Sequence, residues 1–180
     1  MKNFTARASI IVFAICPCFL PALAEQPVHH VTARVAVESS NDYQKIKGSS
    51  DRSKKQERQL VITLDSRDKD PTDLTVKWTI FGHAMKDNKQ MTLGDGSTKV
   101  TLEGMKTATV KSDVIRISGT PKHAVTTVVK GSGKNPDKTH TEKKPASGEE
   151  YYGYNVQVFA GAQLLEEIAS QPGLKSGAAK

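Results

Sequence analysis

The residues that could do chemistry are few and dispersed. Histidines stand at His29, His30, His83, His123 and His140. His29 and His30 would lie close to a processed N-terminus, but an amino-terminal copper site wants histidine third, and Pro27 holds that place with no amide to deprotonate. The other three lack zinc-like spacing, so a solvated leader and no metal site are expected. Asp65, Asp68, Asp70 and Asp73 crowd one short stretch and could offer oxygens to calcium. A calcium loop counted from Asp68 needs glycine sixth and glutamate twelfth and finds Asp73 and Thr79, so an aspartate-rich turn is the simpler reading. Gly131-Ser132-Gly133-Lys134 resembles a fragment of a phosphate loop, but Val128 stands where the first glycine belongs, and Asn135 and Pro136 follow the lysine. Glu149-Glu150 and Glu166-Glu167 are adjacent pairs, which a strand points to opposite faces, so neither pair can flank one bond. No G-x-S-x-G elbow occurs. Catalytic residues and cofactors are therefore expected to be none, and a non-enzymatic protein is the reading; an enzyme with a spatially assembled site is the third hypothesis.

Binding chemistry is better represented. One basic stretch runs from Lys45 to Arg58 and includes Lys54 and Lys55; a second, Gly131 to Gly148, carries Lys134, Lys138, Lys143 and Lys144. Acidic residues are interleaved at Asp51, Glu57, Asp137 and Glu142, and no aromatic accompanies the lysines, so stacking on bases is not available and nucleic acid is not an expected partner. Tyr151 and Tyr152 could form an aromatic contact surface or pack as part of a strand. The candidate partner-binding residues are therefore Lys54, Lys55, Lys134, Lys138, Lys143, Lys144, Tyr151 and Tyr152.

The elements that must position these residues come after a leader. Lys2 and Arg7 precede an apolar run from Ala8 to Leu20, and Ala22-Leu23-Ala24 is an A-x-A cleavage site. The run falls short of the roughly 20 residues a bilayer-spanning helix needs and contains Pro17. Residues 1–24 are thus expected to be a cleaved secretory signal, leaving no transmembrane segment and a periplasmic or cell-surface protein. Both cysteines, Cys16 and Cys18, fall inside it behind Ile15 and Pro17, poor fits to a lipidation site, so the mature chain has no thiol and no disulfide. Loss of Lys2 and Arg7 lowers the formal charge from +7 to +5, mildly basic.

Past the leader, apolar residues recur at period two. Val31, Ala33, Val35 and Val37 share a face; so do Leu60, Ile62 and Leu64, and Leu74, Val76, Trp78 and Ile80, which predicts Trp78 in the core. Short strands are predicted at Gln90–Leu93 and Lys99–Leu102, joined by a Gly94–Ser97 hairpin, with further extended segments at Lys106–Ser118 and His123–Lys130. Residues 131–148 hold no apolar residue larger than alanine and are predicted to be a mobile loop, with Lys45–Arg58 as a second basic loop. Tyr151–Ala160 is a strand; Leu164–Ala169 fits a closing hairpin strand or a helical stripe, and residues 171–180 a flexible tail. This rhythm selects an all-β fold, an immunoglobulin-like β-sandwich over residues 25–170 with long basic loops, the lone Trp and the tyrosine-rich penultimate strand favouring that class.

The stretch Lys54–Lys86, above all Arg58–Leu64 and Leu74–Gly82, together with Tyr151–Gly161, resembles small exported bacterial immunoglobulin-like proteins of unassigned activity, some of them similar to pilus-like or surface-appendage proteins. The resemblance implies a structural or interaction domain at the periplasm or cell surface, within an envelope or type IV pilus-like assembly, and carries no functional residues. Its partners would be envelope or surface proteins, met through sheet edges and the basic loops; the alternative is a glycan- or polyanion-binding module.

Overall fold

In the computed structural model of the protein, residues 29–131 and 138–176 are described; the expected signal, residues 1–24, and Lys134 lie outside them. The strands are β1 (Val31–Lys45), β2 (Arg52–Ser66), β3 (Thr72–Ala84), β4 (Gln90–Leu102), β5 (Thr107–Lys111), β6 (Ile115–Thr120), β7 (His123–Val129), β8 (Lys138–Lys144), β9 (Ser147–Ala160) and β10 (Gln163–Ala169). In one layer β2 is flanked along its whole length by β1, from Val31↔Ser66 to Lys45↔Arg52. Its other edge is shared, β5 pairing with Val61–Asp65 and β6 with Lys54–Arg58. The second layer runs β10-β9-β3-β4. The start of β9 crosses to β6 at Gly119↔Gly148 and Thr120↔Ser147 and so ties the layers together. All these pairings are antiparallel, and the chain forms the all-β sandwich that period two implies.

The core is built from the alternating positions. Leu60, Ile62 and Leu64 of β2, Leu74, Val76 and Ile80 of β3, and Val156 and Val158 of β9 are almost wholly removed from water. Each such side chain contributes about 1.5–3 kcal/mol by burial. Trp78 is only partly buried and lies at the margin of this cluster, its indole over Gly96 of β4, where a Cβ would come within 2.5 Å of it.

Three expectations about connections are corrected. Lys45–Arg58 is not a loop: β1 and β2 extend into it as a long hairpin around a short turn. Its strand character escaped the apolar pattern because the inward positions of β2 there are polar, Gln56 and Arg58, both buried. Arg58 is satisfied by the carbonyls of Ser40 and Glu57 and by Asn41 Oδ1, with its guanidinium 5.4 Å from the centre of the Tyr151 ring. Gln90–Leu102 is one strand rather than two around a Gly94–Ser97 hairpin; Gly94 and Gly96 serve close approach, since a Cβ on Gly94 would meet Ile115 Cδ1 at 2.7 Å. Residues 131–148 contain β8, a fully exposed strand whose ladder with β7 runs from His123↔Lys144 to Val129↔Lys138. Composition hides it because that ladder is made by backbone pairing and a Thr126–Thr141 hydroxyl contact, with no apolar side chain on β8. The Leu164–Ala169 stretch is the closing strand β10, not a helix.

The tail expected to be flexible folds back as far as Ser176. A 3-10 turn at Pro172–Leu174 buries Leu174, whose carbonyl accepts from Asn155 Nδ2 at 2.8 Å. Glu167 Oε1 accepts from Asn155 Nδ2 (2.9 Å), Gln157 Nε2 (3.0 Å) and the Ser176 amide (2.7 Å). Burial works against ionisation of Glu167, but these donors outweigh it and hold the carboxyl at about 2, from an ordinary 4.5. A depressed pKa stabilises the fold above the unfolded value and ceases to do so as pH falls through the folded one. We therefore expect the clamp to weaken from about pH 4.5 down to about 2, with a loss, after solvent screening, of about 1–2 kcal/mol. Urea midpoints measured across that window should fall in the native protein and change less in Glu167→Gln; equal slopes would refute the assignment.

Candidate functional site

Two hairpins converge at one end of the sandwich. The turn between β1 and β2 is closed by Ile46 N–H to the Asp51 carbonyl (3.2 Å) and Ser49 N–H to the Ile46 carbonyl (3.1 Å), with Asp51 N–H donating to Ser49 Oγ (3.2 Å). Gly48 takes φ +77°, a left-handed conformation that side chains resist. Its carbonyl accepts the outward N–H of Thr126 on β7 at 2.9 Å. A Cβ on Gly48 would stand 3.1 Å from the Thr126 carbonyl and from Val125 Cγ1, so the two hairpins touch at this point. A two-stranded ribbon alone is marginal in water, and this contact lends the β7–β8 hairpin a support its own side chains do not supply. Val128 and Val129 remain 55% and 58% exposed.

At the root of the hairpins lies an open groove of about 210 Å³. Tyr43, Arg52 and Lys54 come from the β1–β2 hairpin, Met85 from the turn after β3, Pro121 from the link between β6 and β7, and Glu149 and Glu150 from β9. Lys54 Nζ stands 3.8 Å from Glu150 Oε1 across it. The groove is thus an apolar floor with cations on one wall and carboxylates on the other.

The residues singled out in the sequence separate. Lys54 lines the groove; Lys55, its neighbour on β2, points to the opposite face and lies near Arg116. Lys138, Lys143 and Lys144 stand exposed on β8, with Lys144 Nζ 2.6 Å from Glu142 Oε1. Tyr151 lies beneath Arg58, its amide 3.4 Å from Gln56 Oε1, and burial pushes its phenol up. Tyr152 takes the other face, its ring 4.0 Å from that of His83. The tyrosines therefore do not join the lysines in one surface.

No protein-family model matches this chain, and no curated protein does. Among solved structures, a crystal structure of a protein from Akkermansia muciniphila is similar over 79% of this chain and 72% of that one, at 12% identity and a TM-score of 0.32.

Among the described residues no group of three or more His, Cys, Asp or Glu is placed to hold a metal ion, and no helix is long and apolar enough to cross a membrane. His29 and His30 are not a free leader: both imidazoles approach Asp68, at 3.4 and 3.3 Å, and the His30 amide donates to it at 3.1 Å. That amide, ahead of the two imidazoles, holds Asp68 below the usual carboxylate range. Asp65 and Asp73 each accept a threonine hydroxyl at 2.6 Å, from Thr107 and Thr101. Three of the four crowded aspartates are thus cross-links of the fold. Sequence reading misses Tyr43 and Gly48 and counts Arg52 only as part of the basic stretch; the Gly48-Ser49-Ser50 turn between two lysine-bearing runs is the available signal.

Proposed function

We propose that the chain is a non-enzymatic, exported domain of the periplasm or cell surface that acts by binding, with the paired-hairpin end as its contact surface. The carrying observation is the Thr126–Gly48 hydrogen bond, which brings two basic segments far apart in sequence together at one end of the sandwich. An envelope or type IV pilus-like assembly is the setting in which we place it, by the resemblance of its strands. A glycan- or polyanion-binding module is the second reading, favoured by the lysines that this end exposes.

Mild cross-linking in cells that make the full chain, followed by purification at low and at high salt, tests this. Cross-links on residues 43–55 and 122–144 are the expected result; envelope proteins retained through both salts would carry the assembly reading, and a glycan released by high salt the second. Cross-links confined to the β3–β4 side of the sandwich would overturn the choice of surface.

A further inference from the structure

We infer that the paired-hairpin end binds a linear anionic polysaccharide, one bearing carboxylate or sulfate groups along its length. The inference rests on the reading of this end as the contact surface and adds the class of partner. Lys45, Lys47, Arg52 and Lys54 lie on one hairpin, with Lys55 on its other face, and Lys122, Lys130, Lys138, Lys143 and Lys144 lie on or beside the second; Asp51 and Glu142 are the described carboxylates within these stretches, and Glu149 and Glu150 line one wall of the groove at their root. Of these cations only Lys54 and Lys144 are in an ion pair among the described residues, with Glu150 and Glu142. On the neighbouring β1–β2 ladder and its flanks, by contrast, cations are matched: Arg34 to Asp65, Lys111 to Glu38, Arg116 to Glu57. Cations without an ion pair also stand elsewhere among the described residues, at Arg67, Lys69, Lys86, Lys89 and Lys99, but the contact between the hairpins brings Lys45, Lys47 and Arg52 to one end with Lys122, Lys138 and Lys143.

Its layout selects a polymer over a small anion. β8 alone spans roughly 20 Å at about 3.3 Å per residue, so cations spread along it cannot converge on one phosphate or carboxylate. A chain with charge at intervals can follow Lys138 and Lys144 along one face of β8, with Lys143 on the other. Lysine dominates, and its mobile point charge suits tracking a backbone more than the forked recognition of one group. Between the lysines stand Thr126, Thr127, Thr139 and Thr141, all exposed, whose hydroxyls can pair with sugar hydroxyls. Tyr43, 54% exposed at the groove mouth, offers a flat apolar face to a sugar ring. Consecutive base stacking would need a row of such rings within the cationic stretches, and they hold none.

The probes are dextran sulfate and polygalacturonate, with unsubstituted dextran as the neutral control, titrated against protein exported and purified from the full chain. Both anionic polymers should bind and neutral dextran should not, with affinity falling steeply as salt rises. Lys45→Gln with Lys47→Gln, and separately Lys138→Gln with Lys143→Gln, should each weaken binding roughly five- to tenfold and flatten the salt slope by about 1–2. Lys89→Gln with Lys99→Gln, which removes equal charge from the β3–β4 side, should change it less than twofold. Gly48→Val alters no charge but forces the hairpins apart, and should weaken binding about as much as losing one lysine pair while native circular dichroism is kept. Equal effects of the hairpin and β3–β4 pairs would overturn the proposal, as would tighter binding to anionic phospholipid vesicles or duplex DNA than to either polysaccharide. If neither polysaccharide binds while cross-links still fall on the hairpins, the partner class fails and the contact surface stands; if cross-links also miss them, both fail.

Discussion

Truncation of Ile62 to alanine should lower the unfolding free energy by about 3–4 kcal/mol, the range for a large aliphatic side chain lost from a core that cannot collapse around the gap. Ile62 is fully buried at the centre of β2, opposite Val35 on β1 and Val110 on β5, so strands hold it on both sides and neither can move inward without breaking register. The melting midpoint should drop by about 10 °C. Trp78, the only tryptophan, packs against the same cluster and reports the transition by fluorescence. Because the effect comes from apolar burial, it should be insensitive to salt, unlike the lysine substitutions in the hairpins. Val114→Ala, at an exposed site, should change stability by less than about 0.5 kcal/mol. If the two substitutions prove equivalent, Ile62 does not occupy the shared core between the layers.

That contrast also marks what could be read in advance. Wherever a strand buries aliphatic residues on one face, as β2 does at Leu60–Leu64 and β3 at Leu74–Ile80, alternation alone locates it. Where the inward positions are polar, as with Gln56 and Arg58, or where neither face is buried, as in β8, the strand exists because backbone groups pair, and a hydropathy pattern has nothing to report. Gly94 and Gly96 show the complementary error. Glycine admits either a tight turn or a close neighbour, and only the three-dimensional position of Trp78 and Ile115 decides between them.

The site was legible in type and not in arrangement. The lysine-rich character of both segments was plain from composition, as was the lack of aromatics among them. Among the described residues the two segments meet where Gly48 accepts from Thr126 and packs beside Val125, a long-range contact that no local pattern encodes. As an aromatic contact surface Tyr151 and Tyr152 fail because adjacent residues on a strand face opposite ways, and each ring is engaged elsewhere, by Arg58 and by His83. The C-terminal clamp was invisible for a related reason: Asn155 and Glu167 are drawn together by the β9–β10 pairing, and their shared target, the chain from Leu174 to Ser176, carries no apolar rhythm of its own.

Gly148→Ala should destabilise the protein by about 2–3 kcal/mol and act first on the hairpin end. Gly148 sits at φ +85°, and a Cβ there would stand 2.1 Å from the Ser118 carbonyl, a backbone atom that cannot swing away. Relief requires β6 and β9 to part at Gly119↔Gly148, the pairing that closes the sandwich beneath the groove. The same movement strains the bond from the Met85 amide to the Gly148 carbonyl, 2.9 Å, which holds the Met85 turn against the groove floor. Strain applied at this junction should loosen the groove and the root of β7–β8 while leaving the aliphatic core of β2, β3 and β9 in place. Amide hydrogen exchange should then show protection lost in β6 and β7 well before Leu60–Leu64, whereas Ile62→Ala should lower protection across both layers together. Uniform loss in the two variants would mean that the hairpin end and the sandwich unfold as one unit, and that the junction at Gly148 does not act as a hinge between them.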